Sequence, residues 1–517
     1  MKKSFFVVIV LFAVSLGHVQ EIFDPVYTYL DIWQAKGYFF SPYNIRPYSP
    51  EVLKNLLEQV VDNGDDNARA VASKFLSDIS GKLFSLEFSH ETNLVTGELF
   101  KYRGVTGVNG TLLGHPADLL WIKTKAGAYF IDGQTAIIPY GDGQKQDIHE
   151  DSVYFLPPFI SGDATAVLFS LTTYAWYGSA SLWMSAGLGR TSVGPFFDNG
   201  IFIGPQAKQT ANWSLNFTYN VFTFSTILMQ LTAVTGTTNK YAVYHDYSYS
   251  VSDRLQIGLV ETIVWGGEFK PQYLIPVTAF FYQQSMTSGG LYADNSLAGG
   301  YVVWRPFNGF VIKTTAFLDD IHPPEYIKLN FDTKTIGAAQ TGFFWAPDSM
   351  LFSTISVDYT AIFPYMYTHN YYAGEDNYLH FGQSLGAALL PNSERYELLV
   401  RWHGAPITTR IRFIRHGNAS EGVYEGSGDY WDNGWYNGEP TYQPPYPSTT
   451  TPKYFRFLSQ NIIETVFQID LSYTLSLPSI GLSLDAEYCF AWHNNYNLVD
   501  GMQAYFHYFK FMATWTL

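Results

Sequence analysis

From residue 84 onward the apolar residues of this chain recur at every second position. Trp213, Leu215, Phe217, Tyr219 and Val221 alternate with Asn212, Ser214, Asn216, Thr218 and Asn220. Phe467, Ile469, Leu471, Tyr473, Leu475 and Leu477 oppose Glu464, Gln468, Asp470, Ser472 and Thr474. Phe84, Leu86 and Phe88 repeat the pattern, as do Tyr396, Leu398, Val400 and Trp402, and the run from Leu482 to Trp492. Successive side chains of a strand point to opposite faces, so these segments are strands with one apolar and one polar face. The apolar faces run ~5–7 alternate positions, long enough for a tilted membrane strand of about 9–11 residues. Aromatics sit at the ends of those faces, where the interfacial girdles of membrane barrels lie. Trp183 and Leu399 are exceptions to a pattern that holds over the C-terminal four fifths of the chain. The last strand sends Phe509, Phe511, Ala513, Trp515 and Leu517 one way. Such an ending is the usual signal to the machinery that assembles outer-membrane barrels, although Leu stands here in place of the commoner Phe.

Composition agrees with that reading. Aromatics make up 18% of the 517 residues and charged residues 15%, against about 25% charged in an average soluble domain. The mean hydropathy of −0.04 rules out a helical membrane protein. The net charge of −15 excludes a basic nucleic-acid surface and attachment to anionic lipid through basic residues. Cys489 is the one cysteine, so neither an intramolecular disulfide nor a zinc site needing two thiolates can form. At ~24–27 residues per strand and connection, residues 82–517 supply about 16–18 strands of an antiparallel transmembrane β-barrel, an even number being expected.

Two segments precede the barrel. Lys2 and Lys3, the apolar run Phe5 to Leu16 and the small residues Ser15 and Gly17 read as a signal peptide covering residues 1–20, with the cut between Gly17 and Gln20. The run is shorter than the ~20 apolar residues that span a bilayer. Export and an outer-membrane location follow, with membrane lipids as neighbours. Residues 21–81 then read as a small helical bundle, periplasmic or acting as a plug. Asp24 caps a helix with Pro25 at its first position, and Gly37 ends it. Ser49 and Pro50 start a second helix that runs to Asn63-Gly64. A third runs from Asp66 to Gly81.

Few residues suggest chemistry. Gly382-Gln383-Ser384-Leu385-Gly386 matches G-x-S-x-G, but that motif needs a strand-to-helix elbow, and Ala387 to Leu390 runs into Pro391. Asp319, Asp320 and His322 could ligate a metal, or simply form an acidic strand end before Pro323-Pro324. Arg410 and Arg412 share a face, directed to the lumen. There they either hold anionic sugars or pair with lumenal acids. The longest irregular stretch, 416–453, carries Tyr430, Trp431, Trp435, Tyr436 and Tyr442 among acids, glycines and prolines. Their rings can stack on the C–H faces of sugars while Asp and Asn accept hydroxyl hydrogen bonds, or the loop can fold on itself over the barrel mouth.

Ordered along the chain are Tyr29-Leu30-Asp31-Ile32-Trp33, Arg46-Pro47-Tyr48-Ser49, Gly189-Arg190 with Gly194-Pro195, and Leu255 to Glu261 leading to Trp265-Gly266-Gly267. Asp294-Asn295-Ser296-Leu297, Trp304-Arg305-Pro306, Phe317 to Ile321, Pro391-Asn392-Ser393-Glu394 and Ile414-Arg415-His416-Gly417 follow. This series resembles the Wzi family of capsule-assembly proteins over most of residues 25–420. The sequence departs from the family at Pro195 to Gly200 and in the 429–452 loop. The resemblance implies an outer-membrane barrel with a helical bundle that binds or organises surface, capsular-type polysaccharide. It implies no catalysis, and neither cofactor nor metal is expected. The alternative is a porin or transport channel for small solutes.

Overall fold

Eighteen antiparallel strands close into a barrel in the computed structural model of the chain. It describes residues 22 and 24–517 except 82–83, 99, 134–164, 233–238, 277–278, 288–293, 320–335, 349–350, 365, 368–375, 382, 404–405, 418–456 and 459–460. Residues 1–20, read as a signal peptide, lie outside the described residues. We number the barrel strands β1 (Phe84–Gly97), β2 (Lys101–Ala117), β3 (Leu120–Gly133), β4 (Thr165–Gly178), β5 (Leu182–Gly189), β6 (Thr210–Tyr219), β7 (Phe222–Thr232), β8 (Asn239–Ser252) and β9 (Leu255–Gly266). The circle continues through β10 (Asn295–Phe307), β11 (Phe310–Asp319), β12 (Ile336–Trp345), β13 (Phe352–Ile362), β14 (Ser393–Trp402), β15 (Ile407–Gly417), β16 (Ile463–Leu477), β17 (Leu482–Asn494) and β18 (Gln503–Thr516). Each strand pairs with the next, and β1 closes on β18 with Glu87 opposite Thr516 and Gly97 opposite Phe506. No helix among the described residues is long and apolar enough to cross a membrane.

The wall is built inside out relative to a soluble protein. In β16 the alternating Leu471 and Tyr473 are 43% and 42% exposed on the outside, while Gln468 and Asp470 are buried on the lumen side. Phe509, Phe511, Trp515 and Leu517 all face outward, so the terminal strand completes the apolar belt. Closure satisfies every ladder group, which a bilayer demands. The two exceptions to the alternation have a common reason. Trp183 and Leu399 both turn inward and are buried. Trp183 meets the ring of Tyr43 from the helical region at 5.9 Å.

Most of the short turns, such as 118–119, 253–254 and 308–309, lie at one end. The long connections 134–164, 190–209, 267–294, 363–392 and 418–462 leave from the other. Short turns face the periplasm in barrels of this class. At the short-turn end sit α1 (Pro25–Lys36), α2 (Pro50–Asn63) and α3 (Asp66–Gly81). Their caps are those read from the sequence. The Asp24 carboxylate accepts from the Val26 N–H at 2.9 Å, Ser49 Oγ from Val52 N–H at 3.2 Å, and Gly37 ends α1 with φ +83°. A residue other than glycine is strained at that φ. Leu53, Leu56, Leu57 and Val60 of α2 are buried in one apolar cluster with Trp33 of α1 and Ala68 and Ala72 of α3. The helices are fastened to the barrel rim. Trp121 Nε1 donates to Glu51 at 3.0 Å, Tyr43 Oη to the Ala180 carbonyl at 2.8 Å, and Arg305 to the Gln34 carbonyl at 2.9 Å. Lys36 pairs with Asp348 at 2.7 Å.

Candidate functional site

Two long connections turn into the lumen instead of standing clear of it. Within 190–209, Ser192–Val193 pairs antiparallel with Ile45–Arg46, which rises from the helical end. Gly194 N–H donates to the Asn44 carbonyl at 2.8 Å. Chain entering from the two ends therefore meets inside the barrel and shares a two-stranded sheet. Phe202 stands at the centre. Its ring packs edge-on against Phe317 of β11 at 5.1 Å and near Tyr244 of β8 and Tyr301 of β10. The second connection, 363–392, lies on the first. Tyr367 Oη donates to the Ile201 carbonyl at 2.7 Å and Tyr378 Oη to that of Phe202 at 3.0 Å. Gly204 N–H donates to the Leu385 carbonyl at 2.8 Å.

Polar latches hold this plug. Lys240 donates to the Leu379 carbonyl at 2.8 Å and to the Asn377 side chain. His380 accepts from Thr232 N–H through Nδ1 at 2.9 Å, and its Nε2 lies 3.0 Å from the Gln209 carbonyl. A backbone N–H only donates and a carbonyl only accepts, so this imidazole is neutral with its proton on Nε2. Burial pushes its pKa down to about 4, against the opposite pull of the Gln209 carbonyl. At the junction with the helices, Arg46 lies 3.7 Å from the Phe197 ring centroid and 4.5 Å from that of Tyr27, and pairs with Asp31 at 2.5 Å. Burial opposes its charge, but Asp31, with Tyr48 and Tyr27, holds its pKa above the ordinary guanidinium value.

The sequence-predicted arginines belong to the lumenal wall beside the plug. Register places Glu397 of β14 opposite Arg412 of β15 and Asp358 of β13. Arg412 donates to Glu397 at 2.7 Å and to Asp470 of β16 at 2.5 Å. Arg410 approaches Glu397 at 3.4 Å, and Arg395 approaches the same carboxylate at 3.8 Å. All are buried. The wall grips the tip of the inward loop. Asn199 donates to Asp358 at 3.0 Å, Gln340 donates to Asn199 at 2.8 Å, and Arg401 lies 3.9 Å from Asp198. This is the Pro195–Gly200 stretch where the sequence departs from the Wzi pattern.

Tyr430, Trp431, Trp435, Tyr436 and Tyr442 lie outside the described residues, as do Asp320 and His322. Asp319 is buried at the end of β11. Among the described residues no group of three His, Cys, Asp or Glu is placed to hold a metal ion. Ser384 sits in a two-residue strand paired with Leu379–His380, and its Oγ accepts from Gly386 N–H at 3.0 Å. No helix follows it, so the elbow that a nucleophile would need is not built. Asn199, Asp358 and Lys240 were not singled out from the sequence, because isolated polar residues carry no periodic or motif signal.

The described parts of the two connections pack on each other inside the barrel. No family profile and no curated protein sequence matches the chain. Among solved structures it is similar to Wzi of Escherichia coli, described as an outer-membrane protein involved in group 1 capsule assembly and a carbohydrate-binding β-barrel. The identity is 12%, the TM-score 0.59, and the match covers 96% of this chain and 99% of Wzi. Pseudomonas aeruginosa OccK8 (OprE) matches at 10% identity and TM-score 0.44 over 85% of this chain and 98% of that one. Acinetobacter baumannii OccAB2 gives 10% and 0.43 over 84% and 98%. The fold of this chain, helical start and barrel together, is that of the Wzi barrel.

Proposed function

We propose that this protein is an outer-membrane barrel that binds or organises surface, capsular-type polysaccharide during capsule assembly, acting as a holder and not as a catalyst. The observation that carries the reading is the fold shared with the carbohydrate-binding barrel Wzi along nearly the whole of both chains. The plugged lumen supports it. A lumen crossed by two packed connections and capped by helices suits a surface that holds a polymer at its mouth better than one that passes solutes. On this reading residues 1–20 are the export signal, 21–81 the periplasmic cap and 82–517 the barrel. Its partners are outer-membrane lipid, surface polysaccharide and, during biogenesis, the barrel-assembly machinery. The sugar is held by Tyr430, Trp431, Trp435, Tyr436 and Tyr442, whose rings stack on pyranose faces. Arg410 and Arg412 act behind them by fixing the wall that grips the plug.

The test is a glycan array that includes the source organism's own surface polysaccharide, probed with detergent-folded protein. Saturable binding is expected, and Trp431→Ala with Trp435→Ala should weaken it while the barrel stays folded. Binding unchanged in that variant would remove the loop assignment. No binding by folded protein would move the function to the porin or transport alternative.

A further inference from the structure

One long connection goes neither into the lumen nor over the mouth. The described residues of 267–294, the connection from β9 to β10, fold down the outside of the wall. The register fixes the direction. Leu259 of β9 and Tyr249 of β8, 66% and 52% exposed, lie on the outward face. On that same face of β8 and β9 lie Tyr241, Val243, His245 and Tyr247, opposite Trp265, Ile263, Glu261 and Leu259. Yet Val243, His245, Ile263 and Trp265 are each 0% exposed. They are covered by the 3-10 turn Pro271–Leu274 and by α4 (Phe280–Thr287). The Tyr273 ring lies 5.0 Å from Trp265, and Phe280 lies 4.6 Å from His245. Tyr247 Oη donates to the Pro276 carbonyl at 2.8 Å, and Phe280 N–H to Glu261 at 3.0 Å. Lys270 pairs with Asp294 at 2.6 Å, and Tyr273 donates to the same carboxylate at 2.5 Å.

The cover encloses an ionisable pair on a wall that elsewhere meets lipid. His245 Nδ1 lies 3.2 Å from Glu261, and Tyr247 donates to that carboxylate at 3.1 Å. The height of this pair follows from strand geometry. A rise of ~3.4 Å per residue at a tilt of ~40° lifts the chain about 26 Å over ten residues, close to the ~25 Å apolar belt. Val251, exposed at the short-turn end of β8, therefore marks the lower edge of a belt that reaches to about Tyr241. Tyr247, where Pro276 docks, stands about 10 Å above that lower edge. The cover spans the upper part of the belt. Beside the exposed Glu268, its exposed side is largely apolar, with Phe269, Ile275 and Tyr282 at 44%, 50% and 63% exposure. That side is continuous with the bare belt at Leu259, the residue opposite Tyr247.

We propose that the described residues of 267–287 form a strap embedded in the outer leaflet. It shields His245 and Glu261 from acyl chains and itself presents Phe269, Ile275 and Tyr282 to lipid. This rests on the reading of the barrel as membrane-spanning, and the test separates the two. Cys489 is buried, so an introduced surface cysteine is the thiol that a nitroxide reaches. Ile275→Cys and Tyr282→Cys are labelled in full-length protein reconstituted in dioleoylphosphatidylcholine vesicles. Collisions with oxygen, which concentrates in lipid, are compared with those of a water-soluble nickel chelate. Leu259→Cys reports the belt, and Lys74→Cys on exposed α3 reports water. The strap predicts an oxygen-to-nickel ratio at 275 and 282 severalfold above that at 74 and close to that at 259. A lipid value at 259 with aqueous values at 275 and 282 would overturn the strap alone. An aqueous value at 259 would overturn the membrane-spanning reading, and the strap with it.

Discussion

The two sides of the lumen hold the same plug by different physics. Toward β8, β10 and β11, Phe202 is seated among Tyr244, Tyr301 and Phe317. Toward β13 to β16, Asn199 and Asp198 reach a network of Arg395, Arg401, Arg412, Glu397, Asp358 and Asp470. The aromatic side gains from burial, which is non-directional and is not screened by salt as charge pairs are. The charged side gains little net energy from its pairs but punishes the loss of any one partner, since a buried charge is then left alone. The first side supplies affinity for the plug. The second fixes where its tip lies.

The comparison is broken most severely by Arg412→Ala. It takes from Asp470 its close arginine and from Glu397 the nearest of three, and unfolding in denaturant should lose about 3–5 kcal/mol. Replacing Arg412, Glu397 and Asp470 together with apolar residues of similar volume should restore most of that stability. If the triple variant is as weak as the single one, the charged side is contributing net energy and the contrast fails. Phe202→Ala should lose about 3–5 kcal/mol through cavity formation, and the loss should be the same at low and high salt.

His380 gives a third, pH-dependent effect. Its ordinary value is near 6.5 and its folded value about 4. Below pH 6.5 the released connection takes up a proton that the latched imidazole refuses. The contribution to plug stability is therefore complete above about 6.5 and lost progressively as pH falls toward 4. Proteolysis of the 363–392 connection should accelerate in that window, and His380→Asn should flatten the response. Asn199→Ala is the smallest change, about 1–2 kcal/mol. It should raise protease access to 190–209 without altering the barrel's own melting.

The sequence carried the wall well and the plug poorly, for a physical reason. Alternation is imposed by two solvents, lipid outside and a packed polar lumen inside, so it is written along the length of the strands. Caps at Asp24, Ser49 and Gly37 likewise reflect local backbone groups that must be satisfied. The inward path of 190–209 and 363–392 is set by single long-range contacts such as Gly204 to Leu385 and Lys240 to Leu379, which have no period. Arg410 and Arg412 were readable as lumenal from their parity, but their partners depended on cross-strand register. Trp183 and Leu399 broke the alternation because they face the inside. The strap over His245 and Glu261 was invisible, since a helix of eight residues with no clean stripe leaves no helical signal.

The proposed closed holder is separated from a pore by single-channel recording in a planar bilayer. At neutral pH inserted, folded protein should carry no sustained current, with current steps only when the plug is weakened by Phe202→Ala or Arg412→Ala. Uniform open steps from the unaltered protein at neutral pH would contradict it.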